Sequence, residues 1–315
     1  MKIIRDLNSY DGGNSAVTIG FFDGVHSGHR ALLDSLKKAS AERNLASVVI
    51  TFAKHPRESL RATYVPKLLT TLDERLKMLE DQEIDICIVL DPEPGFFEMT
   101  SEQFVKHVLS GKLQTKYLIT GYDHHFGCDR ENGFDHYKKL GDKYGIEVER
   151  QEPFEIDGIK VSSSMIRKQL DAGEMEAFKK FAGYNFFISG TVVSGRKIGH
   201  GMGYPTANIA INDVRKMIPH YGVYAVDVKV EGFDEKFHGM LNIGIRPTFV
   251  NTSVARSIEV HIFDFNENIY KRGITVYFRA YLRNENKFDS AEKLSQQLHA
   301  DYDAVQEYFE KHKDA

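Results

Sequence analysis

The feature that most constrains this chain is a glycine-rich turn between a buried strand and a helix, over residues 17–29. Glycines at positions 20, 24 and 28 let the backbone turn sharply and approach a ligand closely. His26 and His29 lie in this turn, and apolar residues at helical spacing behind them (Leu32, Leu33, Leu36 and Ala39) place His29 near a helix N-terminus. Two imidazoles and the positive end of a helix dipole then point at one spot, which indicates phosphate binding. A single histidine would be interpreted as a surface residue, but two histidines in one glycine-rich turn favour a phosphate-binding site.

Length and composition indicate a globular chain with room for two cores. With 315 residues, 42% hydrophobic and 27% charged, it is long enough for two domains. The net charge of −4 argues against a partner nucleic acid held by phosphate neutralisation. No apolar run approaches the ~20 residues of a membrane span, and the N-terminus lacks the apolar core of a signal peptide. The two cysteines, Cys87 and Cys128, do not have the spacing of metal ligands. We therefore expect a cytoplasmic protein without nucleic-acid or membrane partners.

The first half of the chain alternates strand and helix patterns. Three β-rich runs cover residues 46–52, 84–90 and 117–120. Between them, capping boxes formed by Thr71 with Glu74 and by Thr100 with Gln103 mark the starts of two helices. The alternation predicts a Rossmann-like, doubly wound parallel sheet, in which ligands bind beyond the carboxyl ends of strands. The glycine-rich turn falls at such an end.

The second half changes to short strands without a convincing helix until the chain's end. The β-rich runs are residues 187–193, 223–230, 237–243, 258–263 and 274–282. Their density predicts an antiparallel β-barrel or sandwich. A last amphipathic helix has Ala291, Leu294, Leu298, Val305 and Phe309 on one side. We place the boundary between the domains so that they cover residues 1–182 and 183–315.

The glycine-rich turn also carries a family resemblance. Gly20-Phe21-Phe22-Asp23-Gly24-Val25-His26-Ser27-Gly28-His29 resembles the extended H-x-G-H signature of nucleotidylyltransferases, specifically of the bacterial bifunctional riboflavin kinase/FMN adenylyltransferases. The resemblance implies that this turn binds ATP and that His29 is catalytic. The implied ATP-binding residues are Gly20, Phe22, Asp23, Gly24, His26 and His29.

A serine-rich segment further along resembles the family's I-S-S-T-x-I-R motif. It reads Val161-Ser162-Ser163-Ser164-Met165-Ile166-Arg167. Serines at a helix start offer hydroxyls and N–H groups to a phosphate, and Arg167 adds a permanent charge one turn on. Taken alone, the segment is better explained as an ordinary serine N-cap with a solvated arginine. The resemblance implies ATP contacts for Ser163, Ser164 and Arg167, with Arg167 catalytic beside His29.

Two further loops resemble the segments that line the family's nucleotide and flavin pocket. Residues 51–56 resemble T-F-x-P-H-P, with Lys54 in place of a proline, and residues 121–127 resemble G-x-D-F-x-F-G, with His124 in place of a phenylalanine. The rings of Phe52 and Phe126 would stack on flat ligand rings. The implied flavin-binding residues are Phe52, His55, Pro56, Asp123 and Phe126. A metal cluster built from His26, His29, His55, His124 and His125 is a weaker interpretation, because no cysteine or H-E-x-x-H pattern accompanies them.

Residues 190–208 resemble the riboflavin kinase motif that ends in P-T-A-N. His200-Gly201-Met202 stands where the family has Arg-x-Leu. Thr206 and Asn208 lie two residues apart on an extended segment, so their oxygens project to one side, as ligands of Mg²⁺ would. Without the resemblance, a turn fixed by Pro205 and Asn208 explains the segment as well. The implied ATP-binding residues of the kinase are Gly195, Lys197, Gly203, Pro205, Thr206 and Asn208, with Mg²⁺ on Thr206 and Asn208.

Three later segments, residues 241–249, 258–263 and 282–288, also match the kinase pattern. Glu259, His261 and Phe263 share one face of their strand. A charged residue on a strand is most often simply solvated, but the resemblance makes Glu259 the base that accepts the proton of the riboflavin 5′-hydroxyl. It also implies flavin contacts for Arg283, Glu285 and Phe288.

The resemblance therefore implies a two-step enzyme that makes FMN from riboflavin and ATP, and FAD plus pyrophosphate from FMN and ATP. It also implies that the second half is an antiparallel β-barrel rather than a sandwich. Three alternatives stay open. An aminoacyl-tRNA synthetase-like protein shares the H-x-G-H turn, but the acidic balance disfavours tRNA. A flavin carrier would keep the folds without turnover, which the joint presence of the catalytic candidates disfavours. A chain that retains only one activity fits the departures at His124 and His200.

Overall fold

The computed structural model describes residues 1–60, 65–91, 94–129, 133–195, 203–246 and 255–312. These residues divide into two units, Met1–Ser163 and Ser164–Ala315. The helices between residues 164 and 182 therefore pack with the second unit. The boundary at residues 182–183 between separately functioning domains stays a prediction.

The first unit is built on a six-stranded parallel sheet. Its strands lie in the order β1-β4-β3-β2-β5-β6. In chain order the elements are β1 (Lys2–Ile4), β2 (Ser15–Ile19), α1 (Ser27–Arg43), β3 (Ala46–Phe52), α2 (Pro56–Leu60), α3 (Leu72–Glu80), β4 (Ile86–Leu90), α4 (Ser101–Phe104), β5 (Thr115–Thr120), α5 (Gly133–Tyr144), β6 (Glu147–Arg150) and the hairpin β7 (Glu155–Ile156) and β8 (Ile159–Lys160). Short 3₁₀ turns cover Leu7–Ser9 and Pro94–Glu98. The predicted Rossmann-like parallel sheet is confirmed.

The order of the strands creates a crevice at the end of β2. From β2 the chain moves outward through β3 and β4, then returns to add β5 on the other side of β2. All five residues of β2 are buried, because both neighbours and the covering helices enclose it. At such a reversal of strand order, the connections after β2 and β5 leave in opposite directions and open a ligand-binding crevice. The glycine-rich turn after β2 lies at this position.

The helix starts expected from the sequence are present. Thr71 with Glu74 and Thr100 with Gln103 form complete capping boxes at α3 and α4. The helix after Thr100 differs from a regular one, because α4 continues as a π-helical segment over Val105–Ser110. The wider turn still buries Val105, Val108 and Leu109, so the predicted apolar face is kept.

The second unit contains a closed antiparallel barrel of six strands. The strands follow the order β10-β13-β12-β11-β14-β9 around the barrel. Its elements are α6 (Ser163–Ala172, beginning at the division), α7 (Met175–Ala182), β9 (Phe187–Val193), β10 (Ala207–Ala210), β11 (Gly222–Val230), β12 (Lys236–Arg246), β13 (Ala255–Ile262), β14 (Gly273–Arg283) and α8 (Ala291–Lys311). The expected barrel is confirmed, and β10 and α7 are additions that the sequence pattern did not predict.

The C-terminal helix α8 packs against the outside of the barrel. Val305 and Phe309 are buried against a cluster that includes Ala225, Met240 and Phe263. Ala291, expected on this apolar side, is exposed at the helix start. No helix in the described part of the chain combines the length and the apolar character needed to cross a membrane.

An ion pair joins α8 to the end of β14. Nε and Nη2 of Arg283 donate to the two carboxylate oxygens of Asp301, at 2.7 and 2.6 Å. Asp301 is only 4% exposed and also accepts a hydrogen bond from the amide of Gln297. A bidentate pair of this kind fixes direction as well as distance, so it sets the position of α8 on the barrel.

Asp301→Asn is expected to destabilise the second unit. Removing one partner of a buried pair costs about 3–5 kcal/mol, and the partial exposure of Arg283 lowers our expectation to about 2 kcal/mol. Thermal unfolding should show this loss, whereas Asp303→Asn, at an exposed position two residues on, should leave the midpoint within about 1 °C of the wild type. Equal midpoints for the two variants would contradict the anchoring role of the pair.

Candidate functional site

The turn after β2 has an unusual backbone. Phe22, Gly24 and Val25 have φ values of 55°, 80° and 34°. A positive φ is rare for a β-branched residue, so surrounding contacts must hold Val25 in place. Val25 is fully buried, and its N–H donates to the carbonyl of Phe22 at 3.1 Å. The turn is therefore rigid and keeps its conformation before any ligand binds.

A buried carboxylate anchors this turn. Asp23 is 3% exposed and accepts hydrogen bonds from the N–H groups of Leu69 and Thr70, both at 3.0 Å, and from the Thr70 hydroxyl at 3.2 Å. The same hydroxyl oxygen accepts from the N–H of Gly24 at 3.0 Å. Charge-assisted bonds in a buried setting are strong, so Asp23 ties the turn to the segment before α3. Its contact with ATP stays a prediction.

The two imidazoles of the H-x-G-H motif stack at the start of α1. Their ring centroids are 3.6 Å apart with an interplanar angle of 18°. His26 caps the helix, because its Nδ1 accepts the N–H of His29 at 3.3 Å. A ring nitrogen that accepts carries no proton, so the proton of His26 sits on Nε2. The structure thus brings both imidazoles and the helix N-terminus together, an arrangement suited to an anion.

The loop after β3 is tied to the same turn by aromatic contacts. The His55 ring meets the Phe21 ring edge-on, with centroids 4.8 Å apart. The guanidinium of Arg75 lies 4.1 Å from the centre of the Phe21 ring and donates to the carbonyl of Phe52. Arg75 is 1% exposed. The structure therefore identifies Arg75 as the cation that holds these two loops, which the sequence did not reveal.

Phe52 and Phe126 contribute mainly to the core. Each is 8% exposed, and both belong to the apolar cluster of the first unit. Phe126 stacks on Tyr137 with centroids 4.2 Å apart, and the Tyr137 hydroxyl donates to its carbonyl at 3.0 Å. Asp123 is exposed, and Pro56 begins α2. Flavin contacts for these residues and for His55 stay predictions.

His124, which departs from the family pattern, has a buried polar atom. Its Nε2 is buried without a hydrogen-bond partner, although part of the side chain remains exposed. Burial lowers the pKa of the ring from its ordinary value to about 4. His124 is therefore neutral near pH 7, which lets it occupy a position typical of an aromatic ring.

The serine-rich segment is divided between the two units. The Ser163 hydroxyl donates to the carbonyl of Asp23 at 3.2 Å, so this residue contacts the turn after β2. Ser164 and Arg167 lie on α6 in the second unit. Their roles toward ATP stay predictions.

In the second unit, Thr206, Asn208 and Glu259 form one cluster. The Thr206 hydroxyl donates to Oε2 of Glu259 at 3.4 Å, and Asn208 on β10 pairs directly with Glu259 on β13. Hydroxyl, amide and carboxylate oxygens are hard ligands, and Mg²⁺ usually takes one or two protein ligands besides phosphates and waters. The donor set therefore fits Mg²⁺. Among the described residues, no group of three or more His, Cys, Asp and Glu side chains is arranged to hold a metal ion.

Gly195 lies directly against the Asn208 side chain. A Cβ added at Gly195 would lie 2.0 Å from Nδ2 of Asn208 and 2.5 Å from its Cγ. Asn208 is 5% exposed, so it has little room to move away. The absence of a side chain at residue 195 thus allows the amide to keep its position. Lys197, predicted nearby, lies outside the described residues, as do His200, Gly201 and Met202.

A cavity of about 410 Å³ lies beside the P-T-A-N segment. Nδ1 of His261 donates to the carbonyl of Pro205 at 2.8 Å, and burial lowers the pKa of this imidazole although that hydrogen bond acts in the opposite direction. A neutral His261 leaves Nε2 as an acceptor. The walls of the cavity include Gly203, Tyr204, Pro205, His261, His299 and Tyr302.

The predicted flavin-contacting residues after β14 have distinct surroundings. Arg283 donates to Asp301, so this ion pair fixes the position of its side chain before any ligand binds. Glu285 is exposed, with Oε1 only 2.3 Å from where a Cβ of Gly244 would lie. Phe288 is half-buried.

Comparison with known proteins identifies the family. The family model for FAD synthetase matches residues 9–165, and the model for riboflavin kinase matches residues 182–309. Proteins named bifunctional riboflavin kinase/FMN adenylyltransferase are similar over almost their whole length. The protein from Buchnera aphidicola subsp. Schizaphis graminum is 40% identical and covers 98% of this chain and 99% of its own length. The protein from Escherichia coli K12 is 35% identical, with 98% of each chain covered.

The chain belongs to the bifunctional riboflavin kinase/FMN adenylyltransferase family. A crystal structure described as a macrolide-efflux protein from Streptococcus pneumoniae is 30% identical, with a TM-score of 0.86 over 96% of this chain and 98% of the other. That similarity shows the same fold along both chains. Family membership decides against a synthetase-like protein that acts on tRNA.

Several residues that position the sites of this bifunctional family member were not predicted from the sequence, and they share one property. Leu69 and Thr70 anchor the turn, Arg75 joins two loops, and Asn242 pairs with Glu259 across β12 and β13. Each acts through a neighbour that is distant in sequence. The motif match over residues 241–249 includes Asn242, but only the strand register between residues 242 and 259 shows that it lies beside Glu259.

Gly195→Ala is expected to impair the barrel unit while leaving the first unit intact. The new methyl group would displace the Asn208 amide, and a misplacement of about 1 Å in a positioned group can lower a rate about 100-fold. We expect at least a tenfold fall in phosphorylation of riboflavin in steady-state assays. Gly95→Ala, where an added Cβ meets nothing within 4 Å, is the matched control. A variant as active as this control would contradict the close packing at Asn208.

The buried His124 predicts a pH dependence of stability. The unfolded chain protonates this ring near its ordinary pKa of about 6.5, whereas the folded protein resists protonation until about pH 4. Acidification through this window therefore favours the unfolded state, so stability falls as the pH falls. Between pH 7 and pH 5, the free energy of unfolding of the wild type should therefore fall by about 1–2 kcal/mol more than that of His124→Phe. Thermal unfolding at both pH values checks this, with His125→Phe at an exposed neighbour as the control.

Proposed function

We propose that this protein phosphorylates riboflavin with ATP in its barrel unit and adenylylates FMN with ATP through its first unit, which gives FAD and pyrophosphate. The observation that carries the proposal is that each unit gathers the side chains of its motif into one cluster: His26 with His29, and Thr206 and Asn208 with Glu259. ATP, Mg²⁺, riboflavin and FMN are the proposed small-molecule partners. The cytoplasmic location expected from the sequence is part of the same proposal.

In the kinase reaction, Glu259 is the proposed general base. Its half-buried carboxylate accepts the proton of the riboflavin 5′-hydroxyl as that oxygen attacks the γ-phosphorus of ATP. The Thr206 hydroxyl already donates to one carboxylate oxygen, which orients the group. Thr206 and Asn208 would hold Mg²⁺, which when bound neutralises charge on the phosphates.

The cavity beside Pro205 is the proposed binding site for the adenine base of ATP. It adjoins Thr206 through the Tyr204–Pro205 segment, so a nucleotide whose phosphates reach Thr206 can extend into it. The neutral His261 lines this cavity and offers an acceptor nitrogen. An acceptor nitrogen suits the exocyclic amino group of adenine.

In the adenylyl transfer, the chain supplies charge stabilisation rather than a covalent intermediate. The phosphate of FMN is already an anion and attacks the α-phosphorus of ATP directly. The Nε2–H of His26, the His29 ring and the N-terminus of α1 lie next to one another, where they can stabilise the charge that develops. Because the turn is held rigidly by Asp23, these donors need little reorganisation when ATP binds.

Two variants should separate the activities. Glu259→Gln removes the proposed base and is expected to lower kinase turnover by about 100- to 10,000-fold, because general base catalysis contributes about that much. FAD formation from added FMN should be unchanged. His29→Ala should do the reverse and lower FAD formation by about 100-fold or more. Separating riboflavin, FMN and FAD by chromatography over time measures both steps.

Matched substitutions at exposed positions control for general effects. Glu267→Gln and His107→Ala should keep both activities. A Glu259→Gln protein with normal kinase turnover would refute the base. Wild-type protein that makes FMN from riboflavin but no FAD, or FAD from added FMN but nothing from riboflavin, would show that one activity has been lost.

A further inference from the structure

The register of the barrel places a second asparagine beside Glu259. Glu259 on β13 pairs with Asn208 on β10 and, on its other side, with Asn242 on β12. Directly opposed residues of antiparallel strands project to the same face, with Cβ atoms about 4.5–5.5 Å apart. Asn208, Glu259 and Asn242 therefore form one row across three strands, which we call the Glu259 row.

The Glu259 row lies on the outer face of the barrel. Ile258, Val260 and Ile243, which alternate with its members along the strands, are buried at 6%, 0% and 0% exposure. The row is thus separated from the barrel core, and two of its members, Glu259 and Asn242, are only half-buried and can be reached by a ligand. Asn242 is half-buried there, and its amide makes no hydrogen bond with any described residue. An amide beside the proposed base that no described residue uses is available to a substrate.

Gly244 provides space next to this amide. It lies two residues beyond Asn242, on the same face of β12. A Cβ at Gly244 would lie 3.1 Å from Nδ2 of Asn242 and 2.3 Å from Oε1 of Glu285. The amide and the carboxylate therefore both lie over the backbone of Gly244, and this polar floor continues the Glu259 row away from Asn208.

The direction of phosphoryl transfer decides which substrate lies over this floor. Thr206 and Asn208 take the phosphate side of Glu259 in the proposed kinase reaction. The attacking oxygen must lie roughly opposite the leaving oxygen, with the γ-phosphorus between them. The alcohol therefore approaches from the other side of Glu259, where Asn242 and Gly244 lie. The groups next to the reacting hydroxyl are the secondary hydroxyls of the ribityl chain.

We propose that Asn242 binds the polyhydroxyl chain of riboflavin and determines the preference for a substrate that carries secondary hydroxyls. An amide both donates and accepts hydrogen bonds, which matches hydroxyl groups that do the same. A site built to bind a hydroxyl rejects an analogue that lacks it, because the amide is then left without a partner. This inference rests on the proposed kinase function and adds a substrate-binding residue to it.

The test compares riboflavin with a flavin that carries a 5-hydroxypentyl chain, which keeps the terminal hydroxyl but lacks the secondary ones. Kinase rates of full-length wild type and Asn242→Ala are measured with both flavins. We expect Asn242→Ala to raise KM for riboflavin roughly three- to tenfold, the effect of losing one neutral hydrogen bond. KM for ATP and FAD formation from FMN should stay unchanged. The preference for riboflavin over the deoxygenated flavin should shrink by the same factor, as a double-mutant cycle requires.

Asn212→Ala, at an exposed asparagine in the loop after β10, is the matched control and should retain the full preference. Asn242→Ser provides a second variant if the alanine variant unfolds, and it should restore part of the preference because serine keeps a hydroxyl. An unchanged preference, or an equal loss for both flavins, would overturn the proposal. A shifted pH profile with unchanged KM for riboflavin would also overturn it, since Asn242 would then act on Glu259. Wild-type protein that phosphorylates neither flavin would refute the kinase function instead.

Discussion

Backbone hydrogen bonding between strands is the constraint that positions the functional groups of both units. In the first unit, β5 returns to pair beside β2, and this single choice of neighbour opens the crevice at the H-x-G-H turn. In the second unit, the register of β10, β13 and β12 sets Asn208 and Asn242 on either side of Glu259. A shift of one residue would turn these side chains to the opposite face, so register and activity are linked.

In the proposed function, the two units bind phosphate by different physical means. The first offers imidazoles and a helix N-terminus on a turn whose strain is held by buried hydrogen bonds to Asp23. The second offers oxygen ligands from Thr206 and Asn208, which suit a divalent cation that itself carries the charge. Preorganisation is common to both, because Asp23 and Gly195 keep polar groups in place that would otherwise be mobile.

The sequence anticipated the elements whose signals are local. Capping boxes at Thr71 and Thr100 and the glycine-rich turn were read correctly, because adjacent residues determine them. The strand β10 was missed because only four residues pair there, and the π-helical continuation of α4 leaves the same apolar face as a regular helix. Arg75 carries no local signal, and the motif match over residues 241–249 does not show that Asn242 lies beside Glu259, because each acts through a residue on another strand or loop.

The sequence by itself determined the family, the order of a parallel sheet and a barrel, and the motif residues, since short-range patterns and spacing encode all of these. Only the tertiary structure decided what the neighbours of those residues are. It made Asp23 the anchor of a turn, Arg283 the partner of Asp301, and Asn242 the companion of Glu259. The physical reason is that hydrogen bonds and strand pairing join residues far apart in the chain, whose distances in space no local pattern contains.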